Sequence, residues 1–119
     1  MYQLRKRDII SLILCCSIRS NLPKSTRIVH PFGISIGEDI TFGKNCIIYQ
    51  NVSIGRRWTD IESKMTIGNN VTICSGACLV GDLTIGNNVI IGANSVVLEN
   101  IPDNCTAVGN PARIIKKRG

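Results

Sequence analysis

One side chain in this sequence is suited to moving a proton at neutral pH. His30 is the only histidine in 119 residues, and an unperturbed imidazole titrates near ~6.5. Such a group can take a proton from a hydroxyl as that hydroxyl attacks, which is general-base catalysis. Taken by itself, a lone histidine is more often a surface or structural residue. Six cysteines accompany it, at positions 15, 16, 46, 74, 78 and 105. The Cys74-x3-Cys78 spacing has no matching Cys or His pair nearby, so no metal is expected there. A disulfide framework would require secretion and is not expected. No Asp or Glu lies between Ser11 and Gly33, so the local sequence offers His30 no orienting acid.

The elements that must position His30 begin just after it. Ile36, Phe42, Ile48 and Ile54 are spaced six apart, and the beat resumes at Ile67, Ile73, Leu79, Ile85, Ile91 and Val97. Neither a helix of period 3.6 nor a strand of period 2 needs a period of six. A coil with three flat sides does, and hexapeptide repeats are a signature of the parallel β-helix. Four residues after each beat the side chain is again small or apolar: Ile40, Cys46, Val52, Val71, Ala77, Leu83, Val89, Ser95 and Ile101. Trp58 breaks that run. Gly often follows the beat and Asn comes soon after. Both tolerate φ > 0 and suit a repeated tight corner.

The expected organisation is one all-β domain in three regions. Residues 1–32 form an N-terminal cap segment with a short helix and a leading strand. Its apolar run, Ile9 to Cys16, is far shorter than the ~20 residues a membrane span requires. A signal peptide is the competing reading. Arg19 and Lys24 follow the run and no A-x-A-like site appears, which favours a cap and a cytoplasmic location. Peripheral membrane contact through this segment is a further reading. Residues 33–102 are the solenoid, interrupted by a charged loop at 56–65. The beat restarts thirteen residues after Ile54, which means seven residues added to one turn or one added to two. Residues 103–119 hold a Gly109-Asn110-Pro111 turn and a basic strand or tail.

Solenoids leave flat faces and open ends that want partners, so homo-oligomerisation is expected. The net charge is +6. The basic residues gather at the two ends and in the loop with few interleaved aromatics, which argues against nucleic acid. Acidic small ligands, anionic glycans or membrane surfaces account for the charge equally well.

The beat, the segment His30-Pro-Phe-Gly-Ile-Ser-Ile-Gly-Glu38 and the ending Gly109-Asn-Pro-Ala-Arg-Ile-Ile115 resemble the hexapeptide-repeat acyltransferases. Within that family the chain is most similar to serine acetyltransferase and to surface-polysaccharide O-acetyltransferases. The resemblance implies a left-handed parallel β-helix, a homotrimer, and acetyl-CoA held in the cleft between adjacent prisms. It also implies that His30 is the general base. The positions matching the family's cofactor contacts are Gly55, Ser75, Gly76, Gly92 and Ala93. Arg113 and Lys116, with Lys117 and Arg118 beside them, could meet the phosphates of CoA. The γ-class carbonic anhydrases share the repeat but need three histidines, so that function is excluded.

Departures from the serine acetyltransferase pattern bear on the acceptor. Val29 stands where that family has Asp directly before the catalytic His. Ser63-Lys64 stands where it has a His next to an Arg. The family's large helical N-terminal domain has no counterpart in these residues. The groups expected to hold serine's ammonium and carboxylate are thereby lost. A sugar hydroxyl becomes at least as good an acceptor, and Asp60 or Glu62 of a neighbouring subunit are candidates to orient His30. The competing class is a non-catalytic solenoid that scaffolds or binds a partner.

Overall fold

The computed structural model describes Lys6, residues 16–56 and residues 64–118. The predicted N-terminal helix and most of the 56–65 loop, with Trp58, Asp60 and Glu62, lie outside the described residues. Among the described residues, fourteen short strands follow one another. The first seven are β1 (Ser17–Ile18), β2 (Arg27–Ile28), β3 (Ser35–Ile36), β4 (Ile40–Phe42), β5 (Ile47–Ile48), β6 (Ser53–Gly55) and β7 (Met65–Ile67). The rest are β8 (Thr72–Ile73), β9 (Cys78–Val80), β10 (Thr84–Ile85), β11 (Ile90–Ile91), β12 (Val96–Val97), β13 (Cys105–Gly109) and β14 (Ala112–Lys117).

The strands stack into three sheets, one per side of a prism. Sheet 1 runs β1-β3-β6-β9-β12, sheet 2 runs β4-β7-β10, and sheet 3 runs β2-β5-β8-β11-β13-β14. Every pairing between these coils is parallel, and β13 with β14 is the antiparallel exception. Ser35 pairs with Ser53, and Cys78 with Val96, at equal steps along the chain. Each step is three beats long, so three sides make one coil. Ser53 pairs instead with Cys78, a step longer by seven. The interruption is thus a single enlarged turn, at the corner between sheets 1 and 2.

The beat fills the interior. Of the ten beat residues none is more than 6% exposed, and of the nine apolar or small positions that follow them none is more than 7%. Each fully buried Ile or Leu contributes about 1.5–3 kcal/mol by leaving water. Among the described residues, Ser95 is the one polar side chain inside, and its hydroxyl accepts the Gly109 N–H at 3.1 Å. A serine at an apolar position is thereby satisfied, and it fastens the β13–β14 hairpin to the coil.

Gly and Asn divide the corner work. Asn45, Asn51, Asn70, Asn88 and Asn94 adopt φ of 57–61°. The glycines directly after the beat do not appear among the positive-φ residues. Their role is close approach. A Cβ on Gly43 would lie 2.6 Å from the carbonyl carbon and oxygen of Gly68, and one on Gly68 would lie 2.8 Å from those of Gly86. This corner, between sheets 2 and 3, is tied by side chains. Asn69 Oδ1 accepts from Lys44 N–H at 2.8 Å, Asn87 Oδ1 from Asn69 N–H at 2.8 Å, and Asp103 Oδ1 from Asn87 N–H at 2.7 Å.

The prism also starts earlier than the beat. Strands β1 and β2 pair with β3 and β5, so residues 17–28 belong to a first coil. From Ser17 to Ser35 that coil keeps the regular length but distributes it differently. Six residues, 29–34, join β2 to β3, whereas four join β5 to β6, β8 to β9 and β11 to β12. The run from β1 to β2 is shorter by the same amount than that from β3 to β5. Side 2 of the first coil carries no described strand, which explains why the beat is unreadable there.

Candidate active site

His30 stands in the enlarged corner between sheets 3 and 1, with its side chain exposed. The corner is held by backbone bonds. Val29 N–H donates to Ile48 O at 3.0 Å, and Phe32 N–H donates to His30 O at 2.8 Å. Phe32 O accepts from Asn51 N–H at 2.8 Å. Gly33 takes φ of 65° and lies so close over the Asn51 side chain that a Cβ there would collide with it. Cys16 Sγ donates to Pro31 O at 3.2 Å, tying the first strand to this corner.

The same corner recurs one coil at a time below His30. It reads Tyr49-Gln50-Asn51, then Cys74-Ser75-Gly76, then Gly92-Ala93-Asn94. Gly76 N–H donates to Gln50 O at 3.0 Å and Asn94 N–H to Ser75 O at 2.9 Å, so the three are in vertical register. Coils rise by about 4.8 Å. Ser75 and Gly76 therefore lie about 10 Å from the His30 level, and Gly92 and Ala93 about 14 Å. Four sequence-predicted cofactor residues thus share one line with the candidate base. Small side chains leave main chain open along that line. Burial raises the Cys74 thiol above its ordinary pKa, so a neutral group sits beside Ser75.

Gly55 is on a different corner. It ends β6, while Asn51 precedes that strand, about 13 Å away along the chain. Among the described residues, nothing lies within 4 Å of a Cβ built on Gly55. Asp39 and Arg56 are ion-paired beside it at 3.2 Å. One prism alone does not bring Gly55 to His30.

The basic residues of the hairpin separate by role. Arg113 pairs with Val108, and Val108 packs over Gly92. Arg113 is therefore one strand beyond the corner line, exposed, beside a cleft of about 190 Å³ shared with Leu98 and Glu99. Lys116 pairs with Thr106, about 7 Å nearer the opposite corner. Arg118 is committed to the fold: it donates to Thr106 Oγ1 at 2.7 Å and to Asn88 O.

Two residues of the His30 corner escaped the sequence reading. Phe32 is 59% exposed, and Gln50 holds a buried Oε1 with no hydrogen-bond partner among the described residues. Phe32 lies within the motif that carries the resemblance, but its exposure has no sequence signal.

Comparison with known proteins agrees with this architecture. The bacterial transferase hexapeptide family (six repeats) matches residues 64–99. The serine acetyltransferase of Synechococcus elongatus is 43% identical over 91 residues, covering 76% of this chain and 37% of that protein. A serine acetyltransferase in complex with cysteine superposes with a TM-score of 0.85 at 31% identity, covering 90% of this chain and 46% of that one. A serine acetyltransferase in complex with CoA gives 0.69 at 37% identity, over 76% of this chain and 37% of that one. The chain thus spans less than half the length of these relatives. Residues 64–99 thus match the bacterial transferase hexapeptide repeat, and the chain is similar in sequence and fold to serine acetyltransferases.

Proposed function

We propose that this chain is an acetyl-CoA-dependent O-acetyltransferase acting on a small hydroxyl acceptor, serine-like or a sugar hydroxyl, with His30 as general base. The observation that carries the reading is the alignment of exposed His30 with Ser75, Gly76, Gly92 and Ala93 on one corner line. An amide-rich pantetheine arm can lie along such a line and pair with its main chain. The CoA complex of a similar serine acetyltransferase supports this donor.

His30 accepts the proton of the acceptor hydroxyl while that oxygen attacks the thioester carbonyl. The carbon–sulfur bond then breaks, and the imidazolium returns the proton to the departing thiolate. Bound acetyl-CoA supplies the activated acyl carbon. Arg113, closer to the corner line than Lys116, meets its phosphates. Gly55 belongs to the same reading through assembly. A left-handed coil in a homotrimer would set the Gly55 corner of one protomer against the His30 corner of the next. The loop carrying Asp60 and Glu62 leaves from that same Gly55 corner.

The test is thiol release from acetyl-CoA with L-serine and with a set of methyl hexosides, for the parent and His30→Ala, beside calorimetric CoA binding. Turnover by the parent and its loss in His30→Ala support the reading. CoA binding without turnover of any acceptor favours a scaffold, and full activity of His30→Ala rejects the base.

A further inference from the structure

The His30 corner contains two features that acetyl transfer itself does not require. The first is the Phe32 ring, 59% exposed, while the other phenylalanine, Phe42, is 6% exposed in the core. Leaving such a ring largely in water forgoes much of its hydrophobic burial. The backbone that carries the ring is bonded on both sides, to His30 O and from Asn51 N–H. It is an exposed apolar side chain two residues from the candidate base. The second is Gln50, whose buried Oε1 lacks a donor among the described residues. An unpaired buried acceptor has given up its hydration with nothing in return. Gln50 is the neighbour of Asn51, in the coil directly beneath.

The surrounding charge narrows what these two could hold. On the side of the site that one protomer supplies, corner residues 29–34, 49–52 and 74–77 contain no Asp, Glu, Lys or Arg. An amino-acid acceptor brings an ammonium and a carboxylate, each expensive to desolvate without a counter-charge. An uncharged sugar ring has the opposite needs. Its C–H face is apolar and weakly positive, matching the negative face of an aromatic ring. Its hydroxyls are donors for an amide oxygen, which on Gln50 meets them once the half-buried side chain turns outward.

We infer that Phe32 and Gln50 form the acceptor subsite of this corner and that it takes an uncharged pyranose ring, stacked on Phe32 and hydrogen-bonded to Gln50. The inference rests on the O-acetyltransferase reading and narrows its acceptor to sugars. Both residues act on specificity, holding the hydroxyl toward His30 without joining the proton transfer.

The chain has two phenylalanines, so protein labelled with ring-¹³C phenylalanine gives two sets of ring signals, assigned by Phe32→Leu. The probes are the methyl pyranosides of glucose, galactose, mannose and N-acetylglucosamine, and L-serine, each to tens of millimolar. A pyranoside should shift the Phe32 signal and leave Phe42 in place, and L-serine should shift neither. Phe32→Ala and Gln50→Ala should each raise KM for that sugar about three- to tenfold. Neither should alter kcat strongly or change acetyl-CoA affinity by calorimetry. The inference is overturned if no pyranoside moves the Phe32 signal, if L-serine moves it instead, or if it responds only to protein concentration. That last result would assign the ring to a contact between copies. Wild-type binding of acetyl-CoA without any ring response rejects the sugar subsite alone. Absence of acetyl-CoA binding rejects the transferase reading itself.

Discussion

The corner between sheets 2 and 3 and the corner between sheets 3 and 1 are separated by strands of only two residues on most coils, yet they close differently. At the first, each coil repeats the one before. Glycine lets the chains touch, and Asn69, Asn87 and Asp103 carry side-chain oxygens to the main chain of the neighbouring coil. At the second, no two coils are alike: Val29, Tyr49, Cys74 and Gly92 occupy equivalent positions on successive levels. Its first turn is two residues longer, and backbone bonds hold the register. A corner that satisfies itself with side chains has none to spare. A corner closed by main chain leaves its side chains free for a ligand. The regular corner therefore supports the stack, and the irregular one is where chemistry fits.

The largest expected effect tests the irregular corner. His30→Ala should lower turnover by about 10²–10⁴-fold with an unchanged thermal midpoint, because its side chain is exposed. A fall in midpoint would make His30 structural and erase the contrast. The next tests the regular corner. Gly43→Ala forces a Cβ against the Gly68 backbone and should cost about 1–3 kcal/mol in denaturant unfolding. Gly55→Ala, with nothing among the described residues within 4 Å of the added Cβ, should stay within about 0.5 kcal/mol while weakening acetyl-CoA binding. Asn87→Ala removes the acceptor of the Asn69 N–H and should cost about 1 kcal/mol with kcat unchanged. A change in kcat there would show the two corners to be coupled. Arg113→Ala should raise KM for acetyl-CoA about three- to tenfold at low salt, an effect that shrinks as salt screens the phosphates. Lys116→Ala, farther from the line, should do less.

The smallest effect concerns Cys74. Its folded pKa is raised by burial. Its contribution to stability is therefore complete below the unfolded thiol value, about 8.5, and lost as pH rises through the folded one. Unfolding midpoints of the parent should decline above about pH 8.5 more steeply than those of Cys74→Ala.

Much of this was legible because a three-sided coil imposes its period on burial. Ile36 to Val97 had to alternate with polar corners, and the charged sequence in the thirteen-residue step after Ile54 favoured a loop. Sequence also supplied Gly and Asn at the corners. It could not say which of them supplies φ > 0 and which supplies contact, since both residue types satisfy the same local rule. The first coil was hidden for a different reason. Two residues moved from one side to another preserve the coil length but destroy the beat, so Ile34, fully buried, lacked its partner signals. Phe32 and Gln50 were unreadable because exposure of one and orphaning of the other depend on what stacks above and below. Gly55 and His30 could be paired only through the family resemblance, since one prism holds them on different corners.

The return strand β14 has a consequence for the size of the particle in solution. A pile of parallel coils presents at its end a row of unpaired main-chain groups on which another molecule could add its own first coil, and then another. Here the sixth strand of sheet 3 runs the opposite way, so it does not present the parallel edge to which a further coil would add. Ile114 and Ile115 on it are 48% and 64% exposed, a combination that invites edge-to-edge growth. Lys116 and Lys117 follow them directly, and charged side chains on an exposed edge oppose such pairing. The direction of β14 and its two lysines thus both oppose further stacking on sheet 3, which works against fibre formation.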